Sequence, residues 1–291
     1  KYTGASPILI DVDPNNWQMD TVLLESFLSK KTYSKEGDTY LTSTNKRIKA
    51  IMPVHVLGNI GDVDHLLEIS EKYNLTIIED STEALGSYYN SKHAGSFGKL
   101  GVFSFNGNKI ISTGGGGVIV TDDEELAKKA KHLTTQAKID AMEYIHDEVG
   151  YNYRMVNVLA AIGVAQMEQF PELLKNKQKM DSFYRSELAG VGDIEFQQVN
   201  SDVKANCWLF TFKTKQMRGL LAFLNNNGVQ SRPFWMPMNQ LEMFKDDIYV
   251  SNNDKSNDIY LNCISIPSSA GISLEEMKEV VKQIKNFYSQ N

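Results

Sequence analysis

The stretch IKAIMPVHVLGNIGDVDHLLEISEKYNLTIIED, residues 48–80, decides the fold. Its two ends, residues 48–54 and 75–78, are apolar runs of strand length. Between them Asp62 offers a helix N-cap, and Val63, Leu66, Leu67 and Ile69 recur near helical spacing before Asn74 ends the run. A strand, a helix and a strand joined by short connections form a β-α-β unit. Such units require parallel pairing and a covering helix.

Working outward, residues 7–12, 102–105 and 118–121 read as further strands, the last followed by the helix EELAKKAKHL. The polar residues 29–47 read as a surface excursion, either a small hairpin or a plain loop. From Asn157 to Leu188 the pattern is helical. VLAAIGVAQMEQF is apolar nearly all round, which predicts burial against the sheet or a partner chain. Pro171 reads as the start of a second helix. After Gly190-Val191-Gly192 come the strand-like CWLFTF, a helix over 216–226 and a last helix over 273–288. The architecture expected is α/β: a mostly parallel sheet in residues 1–189 and a smaller α/β domain in residues 190–291.

Composition narrows the classes. With 42% hydrophobic and 23% charged residues, the 291-residue chain has the make-up of a globular protein with a substantial core. A net charge of −6 provides no broad basic face for nucleic acid. No apolar run suits a membrane span, and no signal peptide is visible, so the cytoplasm is expected. Cys207 and Cys263 are far apart and lack nearby metal-spaced ligands, so free thiols are expected and no metal site.

Two segments carry chemistry. Glu79-Asp80-Ser81-Thr82-Glu83 sits where the strand LTIIED ends, and open α/β sheets bind ligands at such ends. Phe103-Ser104-Phe105-Asn106-Gly107-Asn108-Lys109 precedes Gly114 to Gly117, but no Gly-Lys-Ser/Thr follows the glycines, which excludes a Walker loop. Alone, the acid pair reads equally as an N-cap and Lys109 as a solvated lysine. Together they supply what pyridoxal phosphate requires: an amine for the aldehyde, a carboxylate for the pyridinium nitrogen, and hydroxyl or amide donors for the phosphate. Lysine suits the first role because its amine forms imines and its pKa responds readily to burial.

The runs IIEDSTEALGS, GSFGKLGVFSFNGNKIISTGGGGVIVTDDEELAKKA and EVGYNYRMVNVLAAIGVAQME resemble the sugar aminotransferases of the DegT/DnrJ/EryC1/StrS family. The resemblance extends from Ile8 to Ser269. It implies the pyridoxal-phosphate fold type I, that of aspartate aminotransferase. It also implies that Lys109 forms the internal aldimine and shuttles a proton, that Asp80 pairs with the pyridinium nitrogen, and that Ser104 binds the phosphate. Glu83 falls where many relatives have glutamine, near the ring. Asn152 matches a position reaching the phosphate of the neighbouring subunit's cofactor, which implies a homodimer with shared active sites.

The segments 29–47, 52–59, 134–138 and 144–148 resemble one branch in particular. That branch uses glutamate to aminate the C4 ketone of UDP-linked 4-keto-6-deoxy-N-acetylglucosamine, for bacillosamine and legionaminic acid in bacterial surface glycans. Arg232 and Trp235, in a motif resembling a substrate-side one, and Arg154, His55 and His146 are further candidates for substrate contact. Either histidine has an equally good reading as a structural residue. Another keto sugar, such as a GDP-linked perosamine precursor, remains an alternative, as does an inert homologue that only dimerises. Relatives that use this fold for dehydration have histidine in place of the lysine, and Lys109 argues against that chemistry. In the family, about a quarter of the chain precedes the position of Lys1. That part carries a Gly-Thr phosphate loop and a ring-stacking aromatic residue, so a truncated chain is expected.

Overall fold

The computed structural model describes residues 1–140 and 142–290. The predicted β-α-β unit forms. Strands Ala50–Ile51 and Thr76–Asp80 pair in parallel, and Asp62 caps the helix Val63–Lys72 by accepting from the His65 N–H at 3.1 Å. Val63, Leu66 and Ile69 are buried on that helix, with Leu66 and Ile69 in one apolar cluster with Ile51 and Ile77. Leu67 is exposed.

The sheet continues through Leu100–Ser104, parallel to Thr76–Asp80, to Gly117–Val120, which is antiparallel. Register pairs Asp80 with Val102 and Gly117 with Ser104. Asp80 and Ser104 thus end adjacent parallel strands, and the lysine loop leaves from that same sheet end. The first strand, Ile8–Ile10, lies apart and pairs in parallel with Ile248–Val250.

Residues 29–47 are the hairpin of the two expected readings. Strands Thr32–Lys35 and Asp38–Leu41 are joined through Glu36 and Gly37, both at positive φ, and Arg47–Ile48 adds a third strand. A two-residue turn with both residues left-handed matches the twist of the flanking strands.

The region 157–188 differs from expectation. Asn157–Leu188 is one 32-residue helix with Pro171 inside it, not two helices. An internal proline removes one backbone hydrogen bond at a cost of about 3 kcal/mol. The helix runs on because its second half buries Met180, Tyr184 and Leu188 among Phe212, Leu220, Ile264 and Ile284. Its first half is not buried against the sheet: Val158, Ile162, Val164 and Met167 are all exposed.

The C-terminal sheet has the order Glu195–Phe196, Phe210–Lys213, Cys263–Ile266, Arg232–Pro233, with every pairing antiparallel. Helices Met217–Asn226 and Leu274–Gln290 contribute to its core. Ser273 and Glu276 form a reciprocal capping box at the start of the last helix. CWLFTF is only partly strand: Cys207 has φ +57°, and the strand begins at Phe210. Both cysteines are free, and burial pushes each thiol up to about 12.

Candidate active site

A small pocket at the end of the parallel strands is lined by Thr82, Glu83, Ser104, Lys109, Asn206 and Trp208, among others. The loop that carries Lys109 is closed at its base, where the Phe105 N–H donates to the Gly116 carbonyl at 2.9 Å and the Thr113 N–H to the Phe105 carbonyl at 3.0 Å. Gly114 and Gly116, at φ +81° and +93°, allow the chain to turn back into the strand Gly117–Val120. The glycine run therefore shapes the lysine loop.

Lys109 Nζ lies 3.9 Å from Glu83 Oε1 and 4.0 Å from the centre of the Trp208 ring. Burial lowers the pKa of this amine, while the charges of Glu83 and Asp80 oppose the shift. The converse holds for Glu83. Burial raises its carboxyl to about 7 and the Asp80 charge adds to the rise, against the Leu57 N–H and the Lys109 charge. The two groups are close, and burial displaces their proton affinities toward each other.

Glu83 is held rigidly. Its Oε2 accepts from the Leu57 N–H at 2.7 Å, and its carbonyl accepts from Asn206 Nδ2 at 2.7 Å. Leu57 is itself left-handed, at φ +61°. At Gly58, φ +75°, an added Cβ would lie 1.8 Å from Asn206 Oδ1. Asn206 Oδ1 also accepts from the Trp208 N–H at 3.0 Å, so one amide ties Glu83 to Trp208. Asp80 Oδ1 accepts from the Thr82 N–H at 3.1 Å, and Ser104 Oγ accepts from the Asn106 N–H at 3.3 Å.

Glu83, Ser104 and Lys109 are thus brought together, with Asp80 close enough to act on both titrating groups. The remaining candidates are placed elsewhere. His55 requires a correction: it is 2% exposed, with Nε2 2.9 Å from Glu79 Oε2, and cannot reach a substrate. Glu79 in turn accepts from the N–H groups of Gly95, Phe97 and Gly98, so the pair fastens a loop behind the sheet. His146 lies in an exposed hairpin, its Nδ1 2.7 Å from the Gln136 carbonyl. Asn152, bridged to Thr135, and Arg154 are exposed. Arg232 is exposed in the edge strand of the C-terminal sheet. Trp235 is half exposed and stacks on Trp208, centroids 6.0 Å apart.

The sequence reading missed Asn206 and Trp208, about a hundred residues from Lys109, the first just before and the second within the strand-like CWLFTF. The clue available was the chemistry of Asn-Cys-Trp itself, a polar residue and a hydrogen-bonding ring beside an apolar run.

The donor set fits pyridoxal phosphate. It offers a partly desolvated amine with lowered proton affinity, a carboxylate at a strand end, a second carboxylate that accepts protons near neutral pH, and the Ser104 hydroxyl.

Comparison with known proteins bears on the family. The profile of the DegT/DnrJ/EryC1/StrS aminotransferase family matches residues 1–285. GDP-perosamine synthase of Vibrio cholerae is 36% identical over 291 residues, covering 98% of this chain and 75% of that protein. EpsN of Bacillus subtilis, provisionally assigned as a pyridoxal phosphate-dependent aminotransferase, is 31% identical over 295 residues, covering 99% of this chain and 73% of that protein. Among solved structures, a DegT/DnrJ/EryC1/StrS aminotransferase from Brucella abortus superimposes with a TM-score of 0.90 at 22% identity, over 99% of this chain and 74% of that one. With its parallel strands, lysine loop and matching profile, the chain belongs to the DegT/DnrJ/EryC1/StrS aminotransferase family, of the pyridoxal-phosphate fold type I.

Proposed function

We propose that this protein transfers an amino group to the C4 ketone of UDP-linked 4-keto-6-deoxy-N-acetylglucosamine for bacterial surface-glycan synthesis, with glutamate as donor. The observation that carries the amino-transfer chemistry is the placement of the Lys109 amine between the Glu83 carboxylate and the Trp208 ring at the strand ends, and the choice of sugar rests on the resemblance of segments 29–47, 52–59, 134–138 and 144–148. Pyridoxal phosphate, when bound, supplies the aldehyde and an electron sink for the substrate carbon. Lys109 binds the aldehyde and moves the proton at that carbon. Asp80 keeps the ring nitrogen protonated, and Ser104 binds the phosphate. Glu83 takes up and returns the proton of the Lys109 amine, a role its proton affinity near neutrality suits.

Arg154, Arg232, Trp235 and His146 are assigned to the nucleotide-sugar side, where guanidinium groups suit a diphosphate. Asn152 is assigned to the phosphate of a second subunit's cofactor. The exposed apolar face of Val158, Ile162 and Met167 supports a homodimer, since such a face is covered by a partner in soluble proteins. Among the described residues no helix is long and apolar enough to cross a membrane, and we assign the enzyme to the cytoplasm.

A second reading, a GDP-linked keto sugar, is favoured by the 36% identity to a GDP-perosamine synthase. Borohydride reduction with pyridoxal phosphate present, followed by peptide mapping, is expected to place the pyridoxyl group on Lys109. Turnover with UDP-linked but not GDP-linked 4-keto-6-deoxy sugars supports the first reading, and the reverse supports the second. An adduct elsewhere in the chain, or none, would overturn both.

A further inference from the structure

The reading above places the Trp208 ring beside Lys109 but gives that ring no role of its own. Trp208 is only 3% exposed, and two contacts hold its indole while a third holds its backbone. Its Nε1–H donates to the Asn108 carbonyl at 2.7 Å, its backbone N–H donates to Asn206 Oδ1 at 3.0 Å, and Trp235 stacks on it at 26° between planes. Lys109 Nζ lies 4.0 Å above the ring centre, well inside the range in which a ring quadrupole attracts a cation. The Asn108 hydrogen bond ties the ring to the backbone of the residue next to Lys109, so the ring is anchored to the loop that carries the amine.

We propose that Trp208 is a positioning residue for Lys109, its fixed indole face holding the free ε-ammonium in the pocket whenever that amine is released from the cofactor. The proposal deepens the reading above and rests on its assignment of Lys109 as the reactive amine. The physical need is specific. Once released, a four-carbon side chain with a charged tip would turn toward water, and burial already disfavours its charge. Of the charged groups facing Nζ, Glu83 stands at 3.9 Å and Asp80 acts at longer range, and both are committed to proton exchange or the ring nitrogen. A π-face stabilises the ammonium without accepting its proton. It thus parks the group without quenching it.

The test reads the amine directly. In the full chain, with pyridoxamine phosphate bound and again without cofactor, Lys109 is acetylated competitively across neutral to alkaline pH, and its titration midpoint is obtained by peptide mass spectrometry. The three tryptophans are replaced biosynthetically by mono-, di- and trifluorotryptophan, which keep the shape and weaken the quadrupole. The midpoint should fall stepwise, by roughly half a unit to one unit across the series. A midpoint that ignores fluorination overturns the proposal.

Trp208→Phe and Trp208→Leu give an independent check. Loss of the π-face moves the midpoint down, most in Leu and less in Phe. A ring that only fills space would, on removal, admit water and move the midpoint up, which would also overturn the proposal. Failure here is distinguishable from failure of the functional reading, because the borohydride adduct on Lys109 is measured in the same preparations.

Discussion

Lys109 and Lys177 share a lowered proton affinity and differ in almost everything else. Burial lowers both amines, Lys177 to about 8. Lys109 sits in a loop at the sheet end, faces two carboxylates and a ring, and lines an open pocket. Lys177 lies in the second half of the long helix, is 3% exposed, and donates to the Ser268 carbonyl. One partly desolvated amine lines the pocket beside a carboxylate and a ring. The other is sealed against a neutral acceptor at the junction with the C-terminal core. Asp181 acts on Lys177 much as Glu83 acts on Lys109, so lowered proton affinity and a nearby acid do not separate the two amines; access to a pocket does.

The sharpest way to break this comparison is to remove each amine. Lys109→Ala should abolish the borohydride-fixed adduct and reduce turnover by roughly a thousandfold or more, the scale seen when a covalent catalytic group is lost. Lys177→Met should leave the adduct on Lys109. An adduct that survives Lys109→Ala, or disappears in Lys177→Met, would exchange the two roles.

Next in size is the scaffold behind Glu83. Gly58→Ala places a Cβ 1.8 Å from Asn206 Oδ1 at φ +75°, so roughly 2–4 kcal/mol of stability should be lost. Denaturant midpoints measure it, and a loss below about 0.5 kcal/mol would show that the Leu57–Asn206 clamp yields freely.

Smallest are two opposite pH slopes. Glu83 has a folded pKa of about 7, above its ordinary 4.5, so the native state holds its proton longer than the unfolded chain. Its stabilising contribution is fully present below pH 4.5 and is lost as pH rises through 7. Lys177 falls from 10.5 to about 8, so the unfolded chain binds more protons between those values and stability rises across that window. Each contribution is on the order of 3 kcal/mol at most. Glu83→Gln should flatten the first slope only, and Lys177→Met the second only, in urea titrations at several pH values. A slope unchanged by its own substitution would remove that residue from the account.

Much of this was legible in the sequence because it is local. Asp62 as a cap, the alternation of strand and helix over residues 48–80, and the spacing of Asp80, Ser104 and Lys109 are properties of short stretches. Each strand's buried face must carry apolar residues, and that requirement leaves a mark in the chain. The family motifs sharpened this reading, and the profile over residues 1–285 agrees with it. His55 escaped because a histidine near a strand end looks the same whether it faces a ligand or a buried glutamate. Pro171 misled because its local cost is offset by packing more than thirty positions away in the C-terminal core.

The sequence by itself determined the α/β class and the aminotransferase family, and it set Asp80, Ser104 and Lys109 at strand-end spacing, since these rest on residue type and near-neighbour spacing. Only the tertiary structure decided that Glu83 reaches Lys109, that Asn206 and Trp208 complete the pocket from about a hundred residues away, and that Lys177 is sealed. Desolvation and ring contacts depend on which distant segments meet, and no local pattern encodes that.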